Sequence, residues 1–141
     1  MALLRPAIDT HFGQASVQAI LASLDREDSP EFAGWAGTTA KLMRTRSPTM
    51  LCVALRQLQR GRTMSLADCL RMELGMVERC FAHGDFWEGV RALIIDKDNA
   101  PQWAPSRLED VSEASVEAFF DDPWAGRIHP LADLERSALH A

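Results

Sequence analysis

The raw materials of the common catalytic centres are scarce in this chain, and where they occur they are scattered. There are three cysteines, Cys52, Cys69 and Cys80. The number is odd and no pair has C-x-x-C spacing, which excludes a self-contained disulfide framework or a zinc knuckle. Each falls on the apolar face of a helical pattern, where a free thiol acts as a small hydrophobe, so reduced, structural thiols are expected. His11, His83, His129 and His140 have no histidine three or four residues away, and no metal site is expected. The eight glycines stand singly, so no glycine-rich peptide is available to cradle a phosphate or aim two N–H groups at an oxyanion. G-x-S-x-G, the P-loop, G-x-G-x-x-G and H-E-x-x-H are all absent. None of these templates nominates a catalytic residue.

Positive charge is also limited. Lysine occurs only at Lys41 and Lys97, the arginines are dispersed, and the net charge is -5, which argues against a nucleic-acid surface. No apolar run approaches the ~20 residues that span a bilayer, so no membrane partner is expected. Met1 to Thr10 is interrupted by Pro6 and has no signal-peptide core or cleavage site. The expected setting is the cytoplasm, or the mitochondrion for a eukaryotic source. With 141 residues, 47% of them hydrophobic and 25% charged, the chain can bury the core of one soluble domain.

What is present is helical periodicity with recurrent start signals. Ser16 precedes a stripe of Val17, Ile20, Leu21 and Leu24. Ser29-Pro30 opens a segment carrying Phe32, Trp35, Ala36, Thr39 and Leu42-Met43. Ser47-Pro48 repeats that signal before Leu51, Ala54, Leu55 and Leu58, with a stop at Gly61. Ser65 with Asp68 forms a capping box for a helix running to about Ala82 and stopped by Gly84. Asp85 with Glu88 forms another for a helix that ends at Asp96-Lys97-Asp98. Ser112 caps a short helix bearing Val116, Phe119 and Phe120. No period-two alternation lasts long enough for a sheet. The fold class is therefore all-α, with five or six short amphipathic helices over residues 1–124 and a weakly patterned, partly mobile tail at 125–141.

Three positions could carry chemistry. Glu73 lies amid the stripe of Leu66, Cys69, Leu70, Val77 and Cys80. It reads either as a general acid or base or as half of a buried ion pair, with Arg56 or Arg91 as partner. Lys97 follows a helix C-terminus, where a cation is favoured by the dipole; it reads either as a solvated charge or as a contact for the phosphates of a nucleotide-like ligand. Trp103, between Pro101 and Pro105, sits in an extended strap expected to pack into a groove of the same domain. Phe86 and Trp87 are expected in the core. Gly89, inside the helix begun by Asp85, costs about 1 kcal/mol relative to alanine and calls for a reason such as a close approach.

Asp85 to Asp98, with Pro101, Trp103 and Pro105, closely resembles the C-terminal signature of the crotonase (enoyl-CoA hydratase/isomerase) superfamily, and more narrowly its 3-hydroxyisobutyryl-CoA hydrolase branch. Glu88-Gly89-Val90-Arg91-Ala92 with Asp96-Lys97-Asp98 carries the branch assignment. Ile8 to Phe12, Ser16 to Leu24, Ser47-Pro48-Thr49, Leu55 to Leu58 and Ser65-Leu66 resemble successive blocks of the same family. The resemblance implies hydrolysis of a CoA thioester in valine breakdown, with acyl-CoA as substrate and no further cofactor. It implies a βα spiral completed by C-terminal helices, and this chain is similar to the helical third alone. The family's oxyanion peptide and acidic residues lie in the spiral, so no catalytic residue is carried over. Lys97 matches a turn near the CoA nucleotide and is the one ligand contact implied. Two roles follow: the C-terminal piece of such a hydrolase (or of a hydratase or isomerase), or a free-standing helical module. As such a piece the chain is expected to self-associate or to pair with the spiral half and to bind acyl-CoA only with that half; as a module it is expected to pair with another chain through the face that half would cover, and the chain alone is expected to be inactive.

Overall fold

The computed structural model describes residues 2–134. Among these there are seven α-helices and no strand: α1 (Arg5–Phe12), α2 (Val17–Asp25), α3 (Ala33–Arg44), α4 (Pro48–Gly61), α5 (Leu66–Ala82), α6 (Gly84–Val90) and α7 (Glu113–Glu117). A five-residue π-helical turn, Arg91–Ile95, extends α6, and single 3-10 turns flank α1 and α7. The all-α expectation holds, but the helix number is seven rather than five or six. The addition is α1, which follows Leu4 without a side-chain cap and has proline in its first turn, so it carries no hydroxyl signal to read.

Four serines start helices as their spacing requires. Ser16 accepts from the amide of Ala19, Ser47 from Met50, Ser65 from Asp68 and Ser112 from Ser115. Each satisfies a first-turn donor and stabilises its helix by about 1 kcal/mol. Two other starts differ. Ser29 holds a turn by accepting from Phe32, and α3 begins only at Ala33. His83, not Asp85, caps α6: its Nδ1 accepts from the Asp85 amide, and Gly84 is the first residue of α6 rather than a bare stop for α5.

Packing divides into two small apolar clusters. Ile20 and Leu24 of α2 meet Ala36 and Ala40 of α3, with Leu21, Trp35, Met43 and Leu55 around them; the alanines let the two helix backbones approach. Val53 of α4 and Met76 of α5 meet Val116 and Phe119, with Met50, Cys52, Met72, Cys80 and Phe120 at the edge. Burial pushes the Cys52 and Cys80 thiols up from their ordinary value, which keeps them protonated and inert. Across α4 and α7, Arg56 pairs with Glu113 and Glu117, and Arg60 pairs with Glu117 while lying 4.2 Å over the Phe120 ring. Pro123 and Trp124 then cross Gly75 of α5, where a β-carbon would meet Pro123 at 3.4 Å. Arg71 donates to the carbonyls of Leu131 and Leu134, so the chain to residue 134 runs along α5. Residues 135–141 of the expected tail lie outside the described residues.

Among the described residues two buried side-chain atoms make no hydrogen bond, Arg79 Nε and the Thr49 hydroxyl. Thr49, in the first turn of α4, is 1% exposed and its hydroxyl makes no hydrogen bond. A buried hydroxyl left unpaired costs about 1–3 kcal/mol. Thr49→Val keeps the shape and removes that cost, so its urea midpoint should rise by the equivalent of about 1 kcal/mol. A fall would mean that the hydroxyl has a partner in solution.

Candidate functional site

The segment from His83 to Pro105 contains both the densest polar network and an apolar cavity. Asp85 is its anchor. It lies one residue inside α6 and is only 4% exposed. One carboxyl oxygen accepts from the Ser47 hydroxyl at 2.5 Å, and the other accepts from the Ala104 amide at 3.1 Å. Because Ser47 also caps α4, one side chain ties α4, α6 and the Pro/Trp strap together. The expected capping box with Glu88 does not form.

Glu88 instead belongs to an arginine-centred cluster. The Arg91 guanidinium donates to both Glu88 oxygens, to Asp96 at 2.6 Å, to Asp98 at 2.7 Å and to the Ala100 carbonyl. The Gln102 amide donates to Glu88 at 2.6 Å. These contacts wrap the turn after the π-helical segment around one cation. They place Lys97 and Asn99 in the left-handed backbone region, with φ of 56° and 52°. Asparagine accepts that conformation readily, whereas for lysine it costs about 1–2 kcal/mol. Lys97 is exposed, and its ammonium has no ion pair among the described residues. The turn therefore presents one cation next to three carboxylates already spent on Arg91.

Trp103 packs where the strap was expected to place it. Its indole N–H donates to the Thr45 carbonyl at 3.1 Å, and the ring lies over Gly89. A β-carbon at Gly89 would sit 3.5 Å from the ring, an ordinary contact, so the ring fits against the glycine without demanding it. Behind the indole is a cavity of about 580 Å3 lined by Arg46, Asp85, Phe86, Leu93, Ile94 and Trp103, among others.

Two expectations about burial fail. Glu73 is exposed and accepts from the Gln57 side chain at 2.9 Å; Arg56 and Arg91, its expected partners, are engaged elsewhere. Part of the stripe faces outward, with Leu66 68%, Leu70 40% and Val77 49% exposed, while Cys80 turns inward against the Val53–Met76 cluster. Phe86 and Trp87 are not core either. They form an edge-to-face cluster with Phe81, at 4.8 and 5.1 Å between successive centroids, on the surface. Leu93, Ile94 and Ile95 of the π-helical turn are each more than 60% exposed. One constellation escaped the sequence reading. His11, 3% exposed, shares Nδ1 with the Ser23 hydroxyl at 2.8 Å and Nε2 with Glu27 at 2.9 Å. Hydrogen bonds from Ser29, and then His11, hold the Glu27 carboxyl below its usual range. This is a Ser–His–carboxylate set, but its ring is buried and none of the four cavities described borders Ser23. It clasps α1 to the end of α2, and only the fold brings its members together.

A family model described as enoyl-CoA hydratase/isomerase matches residues 1–120. The chain is 37% identical over 117 residues to 3-hydroxyisobutyryl-CoA hydrolase 1 of Arabidopsis thaliana, covering 81% of this chain and 31% of the relative. It is also 37% identical over 117 residues to small ribosomal subunit protein mS47 of the same plant, covering 80% and 28%. Among solved structures, a carnitinyl-CoA dehydratase from Mycobacterium thermoresistibile superposes with a TM-score of 0.76 and 38% identity, covering 86% of this chain and 34% of that one. The chain thus spans about a third of the length of the proteins it matches. No helix among the described residues is long and apolar enough to cross a membrane.

The Arg91 cluster makes its own test. Arg91 first, then the Gln102 amide, holds Glu88 from an ordinary 4.5 down to about 2. A carboxyl depressed on folding adds stability above its unfolded pKa and loses it as pH falls through the folded one. The window here runs from about 4.5 down to about 2. Arg91→Gln should return the Glu88 titration towards 4.5, read by carboxyl NMR; an unmoved midpoint would show that the cluster is not formed in solution.

Proposed function

The chain belongs to the enoyl-CoA hydratase/isomerase family, and from that membership we propose that it is the C-terminal helical portion of a 3-hydroxyisobutyryl-CoA hydrolase-like protein. Its role is that of a scaffold: it covers the portion of the fold that carries the reacting groups, and it contributes Lys97 to the CoA site. The observation that carries this reading is the outward apolar face of α5, α6 and the π-helical turn, on a chain a third as long as its relatives. Removing exposed apolar side chains of this kind from water supplies a driving force for association.

Chemistry assigns the division of labour. Thioester hydrolysis needs donors aimed at the developing oxyanion and a group to manage the attacking water's proton. Among the described residues the one Ser–His–carboxylate set is closed off by burial, and the carboxylates of the 85–98 segment are committed to Arg91, Ser47 and backbone amides. The chain alone is therefore inactive, and it is either self-associated or paired with the remaining portion. The match to mS47 supports a second reading, a non-catalytic helical module, because a similar stretch occurs in a protein named for a ribosomal subunit. The superposition on a dehydratase keeps a hydratase or isomerase fragment as the alternative within the family.

Co-expression with the unmatched portion of the Arabidopsis hydrolase separates these readings. Release of free CoA from 3-hydroxyisobutyryl-CoA by the pair, and none by the purified 141-residue chain, is the expected result. Water addition to an enoyl-CoA without thioester cleavage would place the chain with the hydratases. Turnover by the chain alone would overturn the scaffold assignment. In the active pair, Lys97→Glu should raise KM for the acyl-CoA about tenfold or more with little change in kcat, as loss of a phosphate contact made equally in ground and transition states requires. An unchanged KM would leave Lys97 as a solvated charge.

A further inference from the structure

The outward face of α5 has a chemical irregularity that constrains whatever covers it. Successive turns present Leu66, Leu70, Val77 and Phe81, all at least 40% exposed. Glu73 stands between Leu70 and Val77 on the same face, because positions three and four apart lie one above another on a helix. One of its oxygens accepts from Gln57 at 2.9 Å. That donor is neutral, so the negative charge on this face is not compensated within the described structure. In the free chain water solvates it, and the face is tolerable as it stands.

Covering the apolar residues changes the balance. A surface that buries Leu70 and Val77 also removes Glu73 from water, since it lies between them. An ionised carboxylate transferred into such an interface without an opposite charge costs several kcal/mol, which would cancel much of what the neighbouring apolar area contributes. Charge complementarity therefore specifies the missing surface. It must be apolar where it meets Leu66, Leu70, Val77 and Phe81, and must carry a basic side chain opposite Glu73. Among the described residues no ion pair to Glu73 forms, and the two arginines expected to pair with it are engaged elsewhere: Arg56 by Glu113 and Glu117, and Arg91 by Glu88, Asp96 and Asp98.

We infer that Glu73 is the specificity determinant of the docking face on α5, and that the remaining portion of the family fold seats a guanidinium or ammonium group on it. This rests on the docking reading above and goes further by naming a residue and the charge of its partner. The ion pair holds register and rejects apolar surfaces that lack the cation, as desolvated charges at interfaces do.

The test uses the 141-residue chain co-expressed with the unmatched portion of the Arabidopsis hydrolase, followed by dissociation measurements on the purified pair. Three variants are compared: Glu73→Gln, Glu73→Arg and Glu73→Leu. Glu73 is exposed in the free chain, so each variant should melt within a few degrees of wild type. Binding should weaken more than about tenfold in Glu73→Gln and be abolished in Glu73→Arg. The discriminating variant is Glu73→Leu. It adds apolar area, so a purely apolar partner surface would bind it more tightly, whereas a surface with a stranded cation must bind it more weakly. Tighter binding of Glu73→Leu, or unchanged binding of all three, overturns the inference and leaves docking standing. Failure of the wild-type chain to bind at all, or its pairing only with a second copy of itself, overturns the docking reading and this inference with it.

Discussion

The carboxyl group of Asp85 is the constraint on which the arrangement of this molecule depends. Its two oxygens accept from Ser47, at the start of α4, and from Ala104, in the Pro/Trp strap. Ser47 uses the same hydroxyl to accept from Met50, so the cap of one helix and the anchor of another share an atom. With α6 fixed against α4, the strap can lay Trp103 over Gly89, and Arg91 can gather Glu88, Asp96 and Asp98 into a single turn. A buried carboxyl group is costly unless its acceptor capacity is met; here both oxygens are met by groups far apart in sequence. That gives long-range order to helices whose hydrophobic clusters are individually small.

On the opposite account stands an unfinished surface. A two-layer helical unit normally turns each apolar stripe inward. Here α2 and α3 do so, and so do the inward sides of α4, α5 and α7. The outward side of α5, the Phe81–Phe86–Trp87 cluster and Leu93 to Ile95 do not. The same stretch matches a thioester hydrolase, superposes on a dehydratase and matches a protein named for a ribosomal subunit. In the proposed function these helices serve as a frame and a docking face, and the reaction is assigned to the portion that these relatives have and this chain does not span.

How much of this was legible depended on the range of the interactions involved. The serine caps at Ser16, Ser47, Ser65 and Ser112 could be read because a cap is completed within three residues. Trp103 in its groove could be read because two prolines limit what the strap can do. Local spacing makes Asp85 look like a cap, whereas its partner Ser47 lies 38 residues away and no local pattern reports it. Glu73 was placed correctly on its stripe but assigned to the interior, since periodicity identifies an apolar face without saying what covers it. The His11–Ser23–Glu27 clasp had no local signature at all; it arises only when α1 folds back on the end of α2. Helix α1 itself went uncounted for want of a polar cap.

The central claim is that the face formed by α5, α6 and the π-helical turn is solvent-exposed only until the rest of the fold is supplied. Hydroxyl-radical footprinting of Leu70, Phe81, Phe86, Trp87 and Ile94 tests it most directly, on the isolated chain and on the co-expressed pair. Rapid oxidation of all five is expected in the dilute, isolated chain and strong protection in the pair, with Leu24 and Val53 protected in both. Equal reactivity of the five residues in the two samples would contradict it.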